Sequence, residues 1–330
     1  MTKLKPLSEQ VIVVTGASSG IGLATAQAAA AAGARVVLAA RSDAALDEAV
    51  RQITGRGGQA IWVHCDVARR DDVQKLAEAA IDRFGRIDSW VNNAGVGIFG
   101  PIEKIDEADM RQLFDTNFWG VIHGSLVAVP YLERQGGALI NVGSVASDRA
   151  LPMQGIYSAS KHAVKGFTDA LRMELEERDA PIVVTLVKPG SIGTPMPQHM
   201  KNYTSHEVQL PPPIYAPEDA AMAILDAAQH PRRDVFVGSA ALTGSTLGHV
   251  APRLLDKVSE ELLFDAQRGP QPPTPTDNLY EGRAEARVRG NRPGSMIRPS
   301  LYTRATLHPA VTTAVMAGVA LLASRMLRPR

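Results

Sequence analysis

Residues 11–40 read VIVVTGASSGIGLATAQAAAAAGARVVLAA and decide the fold. The β-branched run at 11–14 is typical of a strand buried on both faces of a parallel sheet. A glycine-rich turn follows at 15–22, and then an alanine-rich helical stretch that Gly33 ends before a second apolar run at 35–40. This order predicts a strand, turn, helix and strand unit of the dinucleotide-binding type, because glycines let the backbone approach an anion at a helix N-terminus.

The same alternation continues to about residue 240. Apolar runs predict further strands at 60–64, 87–91, 138–142, 181–187 and 234–237, and the stretches between them predict helices at 44–54, 73–84 and 107–132, one that carries residues 157–177, and one that begins at 217. The sequence therefore predicts an α/β fold with a doubly wound parallel sheet of about seven strands (Rossmann-type). In such a sheet the ligand-binding loops lie at the carboxyl ends of the strands.

Composition excludes some classes of function and compartment. The chain has 330 residues, 45% hydrophobic and 21% charged, with a formal net charge of +1. Such a balance gives no reason to expect a nucleic-acid partner. The single cysteine, Cys65, rules out an intrachain disulfide and favours a reducing compartment. The first ten residues are too polar for a signal peptide, so we expect a cytoplasmic protein. No metal site is predicted.

A serine, a tyrosine and a lysine mark a candidate catalytic site between residues 144 and 161. Tyr157 and Lys161 lie one turn apart on one face of the predicted helix. Ser144 follows the strand predicted at 138–142, whose carboxyl end approaches them. A neighbouring ammonium favours the phenolate and lowers the tyrosine pKa from about 10. Such a tyrosine can give or take a proton near neutral pH. Alone, the triplet also fits an ordinary helix surface.

The end of the second strand indicates which dinucleotide is bound. The turn has the spacing G-x-x-x-G-x-G, and Arg41 stands where an acid would hold the ribose 2′-hydroxyl of NAD. A guanidinium suits a 2′-phosphate, which predicts NADP, with NAD as the weaker candidate. Asp43 is close enough to keep NAD open. Asp66 follows the third strand, where a carboxylate accepts from an adenine amino group or caps the next helix. The buried Asn117 either bends its helix or holds a water that leads to a catalytic lysine.

These motifs together resemble a known family. TGASSGIG at 15–22, NNAG at 92–95, Asn117, Ser144, YSASK at 157–161 and PGSIGT at 189–194 resemble the short-chain dehydrogenase/reductase family, in its single-domain branch, over residues 8 to about 240. The resemblance implies that Tyr157 is the general acid/base and that Ser144 polarises the substrate carbonyl. It also implies that Lys161 lowers the tyrosine pKa and holds the nicotinamide ribose, and that Asn117 steadies a proton-relay water. The cofactor-binding residues that it implies are Gly16, Ser18, Ser19, Gly20, Ile21, Arg41, Asp66, Val67, Asn93, Ala94, Gly95, Tyr157, Lys161, Pro189, Gly190, Ile192 and Thr194. The basic residue that marks NADP before the second glycine in the family is replaced by Ser19, so NADP rests on Arg41. A homo-oligomer is also implied.

A proline-rich stretch at 196–214 stands where the family has its substrate lid. Met196, Met200, Tyr203 and Leu210 offer apolar contacts, and no charged cluster for a phosphate or carboxylate is present in it. We therefore expect a small-molecule carbonyl or alcohol substrate of lipophilic character.

The chain continues beyond the length of the family's catalytic domain. We expect a catalytic domain at 1–250 and a second unit at 251–304, in which a helical segment (one or two helices over 242–264) precedes a flexible linker rich in Pro, Gly and Arg at 267–300. The third unit is an apolar C-terminal helix at 305–330. Residues 310–327 as a helix would be about 27 Å long, near the thickness of a bilayer core. A membrane anchor, a helix docked on the body and a disordered tail are the three interpretations.

The sequence predicts an NADP-dependent oxidoreductase that transfers hydride between nicotinamide and a carbonyl or secondary alcohol. Within the enzymes, a 3-oxoacyl thioester reductase and a steroid or retinoid dehydrogenase are the alternatives. From another class, a membrane-tethered NADP-sensing protein without turnover is the rival. The complete set of Ser144, Tyr157 and Lys161 argues against it, because a pure binding protein has no use for a tuned phenol.

Overall fold

The computed structural model describes residues 3–291, 296–307 and 312–313. Its main sheet has seven parallel strands in the order β3-β2-β1-β4-β6-β7-β9, and a second sheet pairs β5 with β8. The strands are β1 (Val11–Thr15), β2 (Arg35–Ala40), β3 (Gln59–His64), β4 (Ser89–Asn92), β5 (Ile98–Phe99), β6 (Gly137–Val142), β7 (Ile182–Pro189), β8 (Lys201–Asn202) and β9 (Asp234–Val237). The doubly wound parallel sheet predicted from the sequence is confirmed, because all seven predicted strands lie in the main sheet.

Helices cover both faces of this sheet. The helices are α1 (Gly20–Ala31), α2 (Asp43–Thr54), α3 (Arg70–Phe84), α4 (Glu107–Phe114), α5 (Gly120–Glu133), α6 (Gly155–Glu177), α7 (Met196–His199), α8 (Pro217–Ala227), α9 (Ser239–Val250), α10 (Pro252–Ala266) and α11 (Leu301–Leu307). Because successive strand residues point to opposite faces, Val11 and Val13 pack with α3 and α5, whereas Ile12 and Val14 pack with α1 and α8. β1 is fully buried on both faces, and for this reason its residues do not alternate between apolar and polar.

The helix predicted at 107–132 is two helices with a π-helical turn between them. The turn covers Asp115–Trp119 and places Asn117 at its centre. The Asn117 side chain is fully buried, and it accepts from the Val96 N–H (2.8 Å) and donates to the Val96 carbonyl (2.9 Å). A π-bulge inserts one residue into a helix and turns a side chain out of its expected direction. Here it aims the amide at the chain that follows β4.

The segment at 267–291, which we call the strap, differs from the flexible linker that the sequence predicts. Its backbone donates to and accepts from several parts of the catalytic body. Asn278 N–H donates to the His199 carbonyl (2.9 Å), and Gly20 N–H donates to the Arg287 carbonyl (2.9 Å). Leu279 is fully buried and packs with the cluster that contains Tyr157. Composition misses this because backbone hydrogen bonds need no particular side chain.

The chain after the strap returns to the body. Asp219 accepts from the Ser300 N–H, and α11 packs on α8 and β9 with Leu307 buried in the core. The predicted apolar helix at 310–327 lies outside the described residues, apart from 312 and 313. In the part of the chain that the structure describes, no helix combines the length and the apolar character that crossing a bilayer requires. The domain boundary at 250 stays a prediction.

The tightest approach in the glycine turn gives the first testable prediction. A Cβ at Gly22 would lie 2.3 Å from the Gly16 carbonyl oxygen and 2.5 Å from Nδ2 of Asn93. Backbone cannot move aside cheaply, so we expect Gly22→Ala to lower the free energy of unfolding by about 2 kcal/mol or more. Urea denaturation at neutral pH measures this change.

Gly166 is the matched control because it lies in α6 with nothing within 4 Å of its ideal Cβ. We expect Gly166→Ala to raise the free energy of unfolding by roughly 0.5–1 kcal/mol through helix propensity. Equal midpoints for Gly22→Ala and the wild type would contradict the steric argument.

Candidate active site

The carboxyl ends of the parallel strands surround one cavity, as a sheet of this topology requires. Every residue predicted to bind the cofactor lines it, and so do Ser144, Tyr157 and Lys161, whereas Asn117 lies behind the wall. The residues that the sequence analysis did not assign to it include Leu151, Gln154, His199, Val208, Asn278, Gly282 and Arg283. The last three belong to the strap.

The glycine turn is held against the end of β4 by hydrogen bonds. The Asn93 side chain donates to the carbonyls of Thr15 (2.9 Å) and Gly16 (3.2 Å). The Thr15 hydroxyl accepts from the backbone N–H groups of Asn93 and Ala94, both at 3.1 Å. Gly16 has φ +65° and Gly20 has φ +55°, which is backbone that glycine adopts without strain. The joint fixes where α1 begins, and the first N–H of that helix, on Gly20, donates to the Arg287 carbonyl of the strap (2.9 Å).

Ser144 is positioned by a short 3₁₀ turn directly after β6. Its Oγ accepts from the Ala146 N–H (3.1 Å), and its own N–H donates to Ser147 Oγ (3.2 Å), which makes a capping box. The hydroxyl proton of Ser144 is left to donate to another acceptor, because its oxygen is the acceptor in the turn. The local turn therefore presents a hydrogen-bond donor beside Tyr157.

Tyr157 and Lys161 lie in the first two turns of α6 and are 8% and 4% exposed. Lys161 Nζ donates to the Val142 carbonyl (2.9 Å) and stands 5.9 Å from the centroid of the Tyr157 ring. Burial raises the pKa of the Tyr157 phenol, and the Ser144 hydroxyl opposes this. Burial lowers the pKa of Lys161 to about 8.

These directions differ from the expectation that Lys161 lowers the pKa of Tyr157. The loss of hydration disfavours the charged form of both groups, and it is the larger effect for each. The ammonium is directed at a backbone carbonyl of β6. At neutral pH the phenol accordingly holds its proton.

Asn117 contacts the backbone around Tyr157 and Lys161, the candidate catalytic pair. Besides its two bonds to Val96, its Nδ2 donates to Ser160 Oγ (3.2 Å). An ideal Cβ at Gly95 would lie 3.4 Å from Asn117 Oδ1 and 3.8 Å from Lys161 Nζ, so the amide and the ammonium flank the same glycine. The amide thus connects the end of β4 with α6, and its predicted role in a water relay stays a prediction.

Arg41 points across the cavity mouth to the strap. Its guanidinium donates to the backbone carbonyls of Asn278 (2.5 Å), Leu279 (3.1 Å) and Tyr280 (2.9 Å). A guanidinium has five N–H groups, so three are used here. Asp43, which kept NAD open, is 58% exposed and pairs with His64 (2.7 Å) on β3. The carboxylate of Asp43 is not part of the cavity wall.

Asp66 also lies in the cavity wall, after β3. Its Oδ1 accepts from the Ala68 N–H (3.1 Å) in the turn before α3, and its charge opposes the lowering of the Arg41 pKa that burial causes. The helix-cap alternative is not what the structure shows, since α3 has Arg69 at its N-cap without a side-chain bond.

The lid at 196–214 is held between the body and the C-terminal segment. Its short strand β8 pairs with β5, and Phe99, Met200 and Val208 form a small buried cluster. The backbone of Glu207 donates to the Gln271 carbonyl (2.8 Å), and Gln209 donates to the Gln267 carbonyl (2.9 Å). The lid therefore has apolar residues toward the cavity and the strap on its other side.

The strap residues are the part of the site that sequence reasoning missed. A weak signal was present, because Leu279 and Tyr280 are apolar and aromatic residues in a stretch otherwise rich in Pro, Gly and charge. Such a pair is too short to predict burial. Its partner, Arg41, lies more than 230 positions earlier, and no sequence pattern connects the two.

The burial of Lys161 predicts how stability depends on pH. Its pKa of about 8 in the folded chain lies below the 10.5 of an ordinary lysine. The folded chain therefore binds fewer protons than the unfolded chain between these values, and this contribution makes stability rise with pH across that window. The cost of the buried charge is present in full below pH 8 and is relieved as the pH approaches 10.5.

We expect the stability of the wild type relative to Lys161→Met to increase by up to about 3 kcal/mol between pH 7.5 and 10. Lys165→Met is the control, since Lys165 lies one turn on, is about one third exposed and pairs with Asp169. Urea midpoints at both pH values measure the two differences. A pH-independent difference for Lys161→Met would contradict the buried-charge argument.

Comparison with known proteins agrees with this geometry. The family model for short chain dehydrogenases matches residues 10–204. The uncharacterized oxidoreductase YxnA of Bacillus subtilis (strain 168) is 45% identical over 322 residues, which cover 96% of this chain and 90% of that protein. That similarity includes the C-terminal segment.

Two solved structures share the architecture. A short-chain dehydrogenase/reductase from Burkholderia phymatum in complex with NAD is 29% identical, with a TM-score of 0.68, over 76% of this chain and 97% of that chain. A metagenomic short-chain oxidoreductase in complex with NADP is 32% identical, with a TM-score of 0.60, over 71% of this chain and 98% of that chain. The matched family model and these relatives show that the chain belongs to the short-chain dehydrogenase/reductase family and is an oxidoreductase.

Proposed function

We propose that this protein is an NADP-dependent oxidoreductase that interconverts a carbonyl and a secondary alcohol, with Tyr157 as the general acid/base. The observation that carries the proposal is the meeting of Ser144, Tyr157 and Lys161 in the same cavity as the glycine turn. A hydroxyl donor, a protonated phenol and an ammonium in one buried place suit the polarisation and protonation of a carbonyl oxygen.

The glycines and polar groups of the cavity wall support a nicotinamide dinucleotide as the ligand. An ideal Cβ at Gly16 would lie 2.7 Å from Ala94 Cα, so only glycine leaves this wall in place. The N-terminus of α1 lies in the cavity wall and carries partial positive charge that suits a pyrophosphate, although the Gly20 N–H already donates to the Arg287 carbonyl. Asp66 and Val67 would hold the adenine, Asn93 and Lys161 the riboses, and Thr194 the carboxamide. When bound, the nicotinamide supplies or accepts the hydride.

Two observations favour NADP over NAD. Arg41 is the residue at the end of β2 in the cavity wall, and its positive charge suits a 2′-phosphate. The acid that an NAD site would use is absent from that wall, because Asp43 is turned to His64. Ser18 and Ser19, in the turn, add small polar groups beside the same cavity.

The protonation states of Tyr157 and Lys161 at neutral pH favour carbonyl reduction. Since burial raises the pKa of Tyr157, the phenol carries its proton at neutral pH and can donate it to a developing alkoxide. Ser144 donates a hydrogen bond to the same oxygen. Lys161, with a pKa of about 8, is mainly charged at pH 7 and supports negative charge that develops on the phenol oxygen.

The substrate end of the cavity favours a lipophilic small molecule. It is lined by apolar residues of the lid and of the chain before α6, among them Leu151, Met196, Met200, Val208 and Leu210. These lining residues carry no charge. Burial first, and then the charge of Arg283 in the same cavity wall, lower the pKa of His199, which favours its neutral form. A thioester or a steroid-like ketone fits this chemistry equally.

Removal of the phenol hydroxyl tests the catalytic role. We expect Tyr157→Phe to lower kcat for carbonyl reduction at least about 100-fold, since general acid catalysis contributes that much, and to leave the Kd for NADPH within about twofold. Tyr131→Phe is the control, because Tyr131 lies on α5 away from the cavity wall. Wild-type turnover by Tyr157→Phe would overturn the mechanism.

Thermal unfolding with nucleotides tests the cofactor preference without a substrate. We expect NADPH to raise Tm more than NADH at equal concentration, because a tighter ligand stabilises the folded state more. The fragments 2′,5′-ADP and 5′-AMP should show the same order, since they differ only in the 2′-phosphate. An equal or larger shift with NADH would contradict NADP preference.

A further inference from the structure

The strap crosses the cavity along the line on which the dinucleotide phosphates are expected. Gly282 packs on Arg41, where an ideal Cβ would lie 3.0 Å from the Arg41 carbonyl carbon and 3.0 Å from the Ser42 nitrogen. Farther along, the Arg287 carbonyl accepts from Gly20 N–H at the start of α1. Between these two contacts the strap spans the distance from the 2′-phosphate end to the pyrophosphate end of the proposed cofactor site.

Arg283 lies on this crossing, immediately after Gly282. It is half-buried and lines the same cavity as Gly16, Arg41 and Tyr157. Within the described part of the chain, its guanidinium donates no hydrogen bond and forms no ion pair. The neighbouring arginines of the strap differ, since Arg287 pairs with Glu285 and Arg289 pairs with Glu218.

The charge of Arg283 acts inside the cavity. Together with burial and Arg287, it lowers the pKa of His199, a residue of the same wall. The first turn of α1 adds the partial positive charge of a helix N-terminus nearby. A free guanidinium in a pocket with this potential suits a phosphate, which it can bind through two parallel N–H groups.

We infer that Arg283 is a phosphate-binding residue of the cofactor site, so that the site is complete only with the C-terminal strap in place. Arg41 then has two tasks: three of its N–H groups hold the strap through the carbonyls of residues 278–280, and two remain for a phosphate. This inference rests on the proposed function, because it takes a nicotinamide dinucleotide as the ligand. The shared chemistry is a phosphate group, either the pyrophosphate or the 2′-phosphate.

The test measures binding, not turnover. Kd values for NADPH and NADH are determined by isothermal titration calorimetry with the full chain for the wild type, Arg283→Gln and Arg283→Lys. We expect Arg283→Gln to raise the Kd about 10- to 100-fold, as the loss of a charge-assisted hydrogen bond does, and Arg283→Lys to fall between. A loss for both nucleotides assigns the pyrophosphate, and a loss for NADPH alone assigns the 2′-phosphate.

Arg289→Gln is the matched control, because Arg289 is on the same strap, pairs with Glu218 and does not line the cavity. Its Kd values should stay within about twofold of the wild type. The inference is overturned if Arg283→Gln binds both nucleotides as the wild type does, or if Arg289→Gln loses as much affinity. Thermal unfolding without nucleotide shows whether Arg283→Gln has a folding defect. If it has, the Kd values of Arg283→Lys are used to test the inference instead.

Failure of the inference and failure of the proposed function give different results. Normal NADPH binding by Arg283→Gln overturns the role of Arg283 and leaves Tyr157 chemistry untouched. Wild-type protein that binds neither nucleotide overturns both. A third outcome is that the wild type binds NADPH tightly, Arg283→Gln loses affinity and Tyr157→Phe keeps full turnover. This result supports the phosphate-binding role of Arg283 and overturns the proposed mechanism.

Discussion

The close approach of Gly22 to Gly16 is the constraint on which the other parts of the site depend. It allows α1 to start within a few ångströms of the carboxyl end of β1. The Asn93 side chain then donates to the carbonyls of Thr15 and Gly16. The same chain that supplies Asn93 leads to Gly95, which Asn117 and Lys161 flank. A displaced turn would therefore move the helix N-terminus, the end of β4 and Lys161 together. The glycine turn and the Tyr157–Lys161 pair thus depend on one piece of backbone geometry.

Burial is the largest influence on the protonation of Tyr157 and Lys161. For Tyr157 and Lys161 the loss of hydration favours the neutral form, so the phenol keeps its proton and the ammonium holds its own only up to about pH 8. Desolvation keeps the Tyr157 phenol protonated, and the hydrogen bond to Ser144 opposes this effect.

The sequence predicts the fold well because local patterns carry it. The apolar run of β1, the glycine turn and the cap at Gly33 each follow from residues within a few positions. The cavity wall was predictable for the same reason, since parallel strands bring the residues after their carboxyl ends together. The π-turn at Asn117 was not, because it depends on a bond to the backbone of Val96. The direction of the Tyr157 pKa was missed as well, since it depends on how deeply the folded chain buries the phenol.

The strap shows the limit of composition most clearly. A stretch rich in Pro, Gly and Arg buries little apolar area, and it nevertheless becomes ordered when its backbone satisfies side chains that the body already presents. The Arg41 guanidinium donates to three backbone carbonyls of the strap. The Tyr280 hydroxyl donates to Asp109 on α4 (2.6 Å). The hydrogen bond to Asp109, together with burial and the charge of Asp109, raises the pKa of Tyr280 to about 12. No pattern within residues 267–291 encodes either partner.

Asp109 also joins the strap to the lid. Its second carboxylate oxygen accepts from the Tyr203 hydroxyl (2.7 Å), so one buried carboxylate holds a tyrosine of the lid and a tyrosine of the strap. Residues of the lid and residues of the strap line the same cavity. Since both segments hydrogen-bond to one carboxylate on α4, a shift of α4 would change both at once. The C-terminal segment is therefore a structural part of the body that forms the cavity.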